Sequence, residues 1–237
     1  MVRGPAALLA LVGAALAYVL VAPELPQLHP PELSALVASA VGLTFVVAIV
    51  AGMAAMADAP FTLVPAALGA GLLVAALDAN GVAAAATPFE VVLLSCLGIA
   101  FAVIFDAPAL AVALPLFLGA IDIGQALGGG SAGLFTLSTS KPGDVLTLDL
   151  PDWGTGLAAA RLSATDVLFL GAFAAYARRL GLRERAAELG MLLGLLAAVA
   201  SEVLLDTQLP TIALMAAGYL ASNVDRLAAL FARPVDE

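Results

Sequence analysis

The sequence predicts an all-α polytopic membrane protein of about eight transmembrane helices, with a small β-hairpin in the loop between two Asp-bearing helices. Three observations carry that prediction. Apolar residues make up 63% of the 237 positions and charged residues only 11%, with a mean hydropathy of +1.09; a soluble domain carries roughly 25% charge. Uninterrupted apolar runs of ~18 residues or more recur from end to end, long enough to cross a bilayer as helices. Those runs are Ala/Leu/Val blocks without apolar/polar alternation, which excludes the strand pattern of a membrane barrel.

Pro, Gly and acidic residues punctuate the chain into candidate spans at 6–22, 34–57, 60–77, 82–105, 108–127, 157–178, 187–205 and 209–228. The first, within "MVRGPAALLALVGAALAYVLVAPELP", has the Arg3 and apolar core of a signal peptide. Its length and the short loop that follows favour a retained first helix. Only "FDAP" separates the fourth and fifth spans, and the Ala-rich stretch before Glu90 reads equally as loop or helix. Two blocks follow from this division: N-terminal transmembrane helices over 1–107, and a second half over 108–237 that includes the loop 128–156.

Charge sets orientation and excludes several functions. With eight spans, Arg3, Arg178, Arg179, Arg183, Arg185, Arg226 and Arg233 share one side, and only Lys141 and Arg161 face the other. Cytoplasmic loops collect Lys and Arg, so both termini are expected in the cytoplasm of a multi-pass protein of the cell membrane. A net charge of −9 argues against a nucleic-acid partner. The single Cys96 gives no disulfide framework, and the single His29, in a loop, gives no His-based metal centre. No metal and no organic cofactor is expected.

The longest polar stretch runs from Gly128 to Gly156 and contains Leu134–Thr139 and Val145–Leu150, both β-prone, joined by "SKPGD". Lys-Pro-Gly-Asp is a turn signal between strands, so a hairpin is expected there. An open strand edge of this kind accepts an extended peptide as a further strand.

Most of the 18 acidic residues fall in loops, at span ends or beside arginines. Two do not: Asp122 in "LPLFLGAIDIGQALGGG" and Asp166 in "LSATDVLFLGAF". A carboxylate in hydrocarbon costs about 2.5–3.5 kcal/mol even on lenient scales, so each needs a reason. With the second helix beginning near 157–160, both lie on the order of 10 Å below the same surface at 1.5 Å per residue. Three arrangements fit. The pair can share one proton as an acid dyad that activates water. Each can instead hydrogen-bond a neighbouring helix separately, or the two can relay protons in a carrier.

The order of these features resembles the presenilin and signal peptide peptidase family of intramembrane aspartyl proteases. Members carry Tyr-Asp, then Gly-x-Gly-Asp, then Pro-Ala-Leu. Here Ile121-Asp122 stands at the first motif, and Ser163-Ala164-Thr165-Asp166 at the second, with Ser163 and Thr165 where the family has glycine. Leu209-Pro210-Thr211-Ile212 stands at the third. The resemblance covers roughly Ala109 to Asp225 and implies an aspartic endopeptidase whose substrate is a transmembrane peptide or protein, such as a remnant signal peptide, within the lipid bilayer. Asp122 and Asp166 would be catalytic. Leu146 and Leu148 of the strand and Leu209, Pro210, Thr211 and Ile212 would bind substrate. A non-catalytic relative or a proton-coupled transporter is the competing expectation.

Overall fold

The computed structural model describes residues 4–127, 147–155 and 157–231. Among them are eight α-helices and a two-stranded antiparallel sheet: α1 (Pro5–Val21), α2 (Pro31–Ala54), α3 (Leu63–Ala79), α4 (Ala83–Ile104), α5 (Leu110–Leu127), β1 (Thr147–Pro151), β2 (Ala158–Ser163), α6 (Ala164–Arg179), α7 (Glu184–Leu205) and α8 (Thr211–Phe231). Pro5 and Pro31 open α1 and α2 at first-turn positions, where a missing N–H costs nothing. The Ala-rich stretch before Glu90 is helical, since α4 begins at Ala83.

Six helices, α1 to α5 and α7, are long and apolar enough to cross a membrane. α6 is 16 residues long, and the second half of α8 carries Asn223, Asp225 and Arg226. The long helices are apolar on every side rather than striped, and Leu68 and Leu72 of α3, Leu116 and Phe117 of α5 and Leu189 and Leu193 of α7 face outward. Apolar side chains on the outer surface are what a lipid surround demands.

α6 is the innermost helix. Every residue from Leu170 to Ala177 is buried, with α4 packed along it and α2, α7 and the hairpin around it. The α4–α6 seam is closed by small residues: a Cβ at Gly98 would overlap the Leu168 carbonyl, and one at Gly171 would lie 3.1 Å from the Ser95 Cα. A second such seam joins α7 to α8, where Gly190 and Gly194 meet Gly218 and the Leu214 carbonyl. Helices in lipid associate through close backbone approach rather than through a hydrophobic drive, and small residues four apart permit it. The α4–α6 seam, with the packing of α2 against α6 and α7, ties helices of 1–107 to helices of 108–237 in one bundle.

The helices alternate in direction, so their polar ends collect in two belts. One belt is fastened by ion pairs: Arg178 to Asp58 at 2.6 Å and Glu184 at 3.4 Å, Arg179 to Asp106, and Arg183 to Asp225 at 2.7 Å. The hydrogen bond from Arg179 holds the Asp106 carboxyl below its ordinary value of 3.8. A depressed carboxyl stabilises the fold above its unfolded pKa, and the contribution is lost as pH falls through the folded value. Asp106→Asn is therefore expected to lower the melting temperature at pH 7 and to leave it unchanged well below pH 3. The pair is partly exposed, so the difference stays below about 1 kcal/mol; thermal unfolding across pH reads it.

At the opposite end the hairpin is locked onto the α1–α2 connection. The Trp153 indole donates to the Tyr18 hydroxyl at 3.2 Å, and that hydroxyl donates to the Ala38 carbonyl at 2.9 Å. Gly154 takes φ +74 and donates its N–H to the Ala22 carbonyl; a side chain there would crowd Leu25 and Gln27.

The described hairpin lies after the one expected at "SKPGD". β1 overlaps the expected strand 145–150, ending one residue beyond it, and pairs with β2, with Asp149 opposite Arg161. The turn between them is Asp152–Leu157, where Asp152 accepts from the Trp153 amide and the Thr155 hydroxyl. Leu134–Thr139, "SKPGD" and Leu146 lie outside the described residues. The expected span 157–178 is likewise corrected. Residues 158–163 are strand, and the helix starts only at Ala164. The cause is local: Ser163 is a strong N-cap, and the cap outweighs the apolar run before it.

Candidate active site

Asp166 occupies the third position of α6, not a site two turns inside it. Its backbone N–H donates to Ser163 Oγ at 3.1 Å, and its Oδ2 accepts from the Ser163 N–H at 2.9 Å, a reciprocal capping box. Thr165 Oγ1 lies 2.6 Å from Ser163 Oγ and completes the turn. The side chain is only 8% exposed. Its other oxygen, Oδ1, makes no hydrogen bond among the described residues. The penalty of a buried carboxylate is thus offset by a backbone donor and by the positive end of the α6 dipole. Ser163→Ala should remove the box and cost about 0.5–2 kcal/mol, read by thermal unfolding.

Asp122, in the last turns of α5, is tied to a different helix. α7 ends at Asp206 in a left-handed conformation, and Thr207 to Pro210 lead into α8. The first amides of a helix have no acceptor within it, and Pro210, just before α8, has no side-chain oxygen to supply one. Asp122 supplies it across space. Its Oδ2 accepts from the Ala213 N–H at 3.1 Å, and the Ile212 N–H also donates to its carboxylate. Close approach of the two helices makes this reach feasible: a Cβ on Gly119, one turn earlier on α5, would touch the Ala213 Cα at 3.4 Å. Asp122 is half-buried.

Two helix N-termini, those of α6 and α8, therefore each present a carboxylate at the same end of the bundle. The two acids lie close enough for their charges to interact. No hydrogen bond joins them among the described residues; each has its own backbone donors. α5 packs along α8 and meets α6 only marginally.

The remaining sequence-derived positions divide. Pro210, Thr211 and Ile212 are brought to Asp122 by the cap just described, with Ile212 buried and Leu209 exposed. Leu148 is fully buried against the core, so its side chain is not offered to a ligand; what β1 offers is backbone. Reading the sequence missed Glu90. Placed among residues at a span end, it sits instead seven positions into α4 and only 8% exposed, with no hydrogen bond or ion pair among the described residues. The one signal was its setting, since "PFEVV" puts a lone carboxylate directly against a β-branched run. Among the described residues no group of acidic, His or Cys side chains is placed to hold a metal ion.

No protein-family model matches the chain, and no curated protein or solved structure matches it either.

Proposed function

We propose that the chain is an intramembrane aspartyl endopeptidase that resembles signal peptide peptidase and cuts transmembrane helices or remnant signal peptides. The observation that carries this reading is the placement of Asp166 and Asp122 at the N-termini of α6 and α8, at the same end of the bundle and within electrostatic reach of one another. In the proposed reaction the ionised member removes a proton from water, while the protonated member hydrogen-bonds the scissile carbonyl. Attack of that water on the carbonyl gives a tetrahedral centre. Proton transfer to the departing amine then completes hydrolysis, leaving a carboxylic acid and an amine. The first turn of α8 holds Asp122 in place throughout, and Leu209 to Ile212 form the floor beside it.

A helical substrate hides its carbonyls in its own hydrogen bonds, and backbone freed in lipid must find partners in protein. The backbone of β1 supplies them over Leu148–Leu150. Eight spans, with both termini and the arginine-fastened belt in the cytoplasm, complete the reading.

The competing reading, a membrane bundle without catalysis, has its own support: each acid already does structural work as a cap. Purified protein in liposomes with a labelled single-span peptide separates the two. The proposal expects fragments cut inside the apolar stretch. An intact peptide, with the protein folded and the peptide bound, would leave only the structural role.

A further inference from the structure

Glu90 has no task in the chemistry above, and its surroundings make its burial harder to explain. The charged groups that act on it are Asp78, at the end of α3, and Asp149, on β1; both are acidic. The nearest described cation on that sheet, Arg161, is already engaged with Asp149 at 2.9 Å, and both members of that pair are exposed. A carboxylate that is nine-tenths buried among two like charges, without a donor, is an open position for a cation. The described residues hold no cluster fit for a metal ion. A Lys or Arg side chain is different: it carries its own apolar stem past apolar neighbours and delivers one charge at its tip.

We infer that Glu90, with Asp149 beside it on β1, is a specificity subsite that takes a lysine or arginine of the peptide lying along β1. This rests on the proposed pairing of substrate with that strand. The subsite and the catalytic pair flank the same hairpin, with Glu90 on α4 beside β1 and Asp166 just beyond the end of β2. A basic residue seated at Glu90 would set the register of the peptide against the two aspartates. Selection would then come from charge, as well as from apolar length.

The test uses two single-span peptides that differ at one position near the end of the apolar stretch, lysine in one and glutamine in the other. Binding to the full-length protein in micelles is read by fluorescence anisotropy, and cleavage is read separately by mass spectrometry. The wild type should bind the lysine peptide about tenfold more tightly, and the preference should shrink with added salt. Glu90→Gln keeps the shape and removes the charge, so it should bind both peptides equally, with an unchanged affinity for the glutamine peptide. Asp149→Asn, at an exposed position, should also weaken the preference. A wild type without preference, or either variant retaining all of it, would overturn the subsite. Failure of the protease reading would look different: neither peptide is cut, while the binding preference stands.

Discussion

Replacing Asp122 or Asp166 with asparagine should reduce peptide cleavage by about 10³–10⁴-fold, with the fold left intact. Asparagine is the informative choice because both acids also serve as caps. Its side-chain oxygen still accepts the Ala213 N–H at position 122 and the Ser163 N–H at position 166, so the capping role survives and only the ionisable group is lost. Alanine removes both, and should add a stability loss of about 0.5–2 kcal/mol. If the two acids act as one unit on one water, the double asparagine variant should be no slower than either single variant. Additive losses would mean that the two residues act independently. Full activity in either single variant would remove that residue from the chemistry. Cleavage kinetics and thermal unfolding, measured side by side on the four proteins, read every outcome.

The largest effect on the fold is expected at the glycine seams. Gly98→Leu or Gly218→Leu would drive a side chain into backbone: the Leu168 carbonyl in the first case, the Gly190 carbonyl in the second. Backbone cannot rotate away as a flexible side chain can. The helices must separate, and the contacts along the whole seam weaken together. Overpacking at an ordinary core site costs about 1–3 kcal/mol, and these sites should meet or exceed that. Gly13 and Gly69 lie in helices with nothing near a notional Cβ. Alanine there should be neutral or stabilising by about 0.5–1 kcal/mol. Size-exclusion profiles and melting temperatures of the four variants compare them directly. Equal tolerance at Gly98 and Gly69 would contradict the close α4–α6 packing.

The helices were readable from composition because lipid-facing segments need continuous apolar length, and Pro and Gly mark where that length stops. Each of the eight predicted segments overlaps a helix. The two acids stood out for the same reason, as charges inside apolar runs. What could not be read was where α6 begins. "GLAAARLSATD" is apolar and small, compatible with strand or helix, and the choice was made by Ser163 capping its own turn and by pairing with β1. Turn signals flank β1 on both sides, "SKPGD" before it and "DWGTG" after it, and composition does not choose between them. The trans-cap from Asp122 to α8 was also hidden. It depends on α5 and α8 approaching at Gly119 and Ala213, ninety-four positions apart in the chain. Glu90 was misjudged because depth was counted from a span end, whereas α3 and β1 cover that end of α4.

The account depends on Asp122 and Asp166 facing one another across a single cleft. Cys96 is the only cysteine in the chain and is buried, so a Cys96→Ser background allows a direct trial. In that background, Asp122→Cys and Asp166→Cys are introduced together and treated with a short bifunctional thiol reagent in membranes. Cleaving the chain between α5 and α6 then shows whether the halves remain joined. The account predicts joined halves for this pair, as for a control pair at Asp58 and Arg178, which touch at 2.6 Å. Halves that separate freely, while the control stays joined, would contradict it.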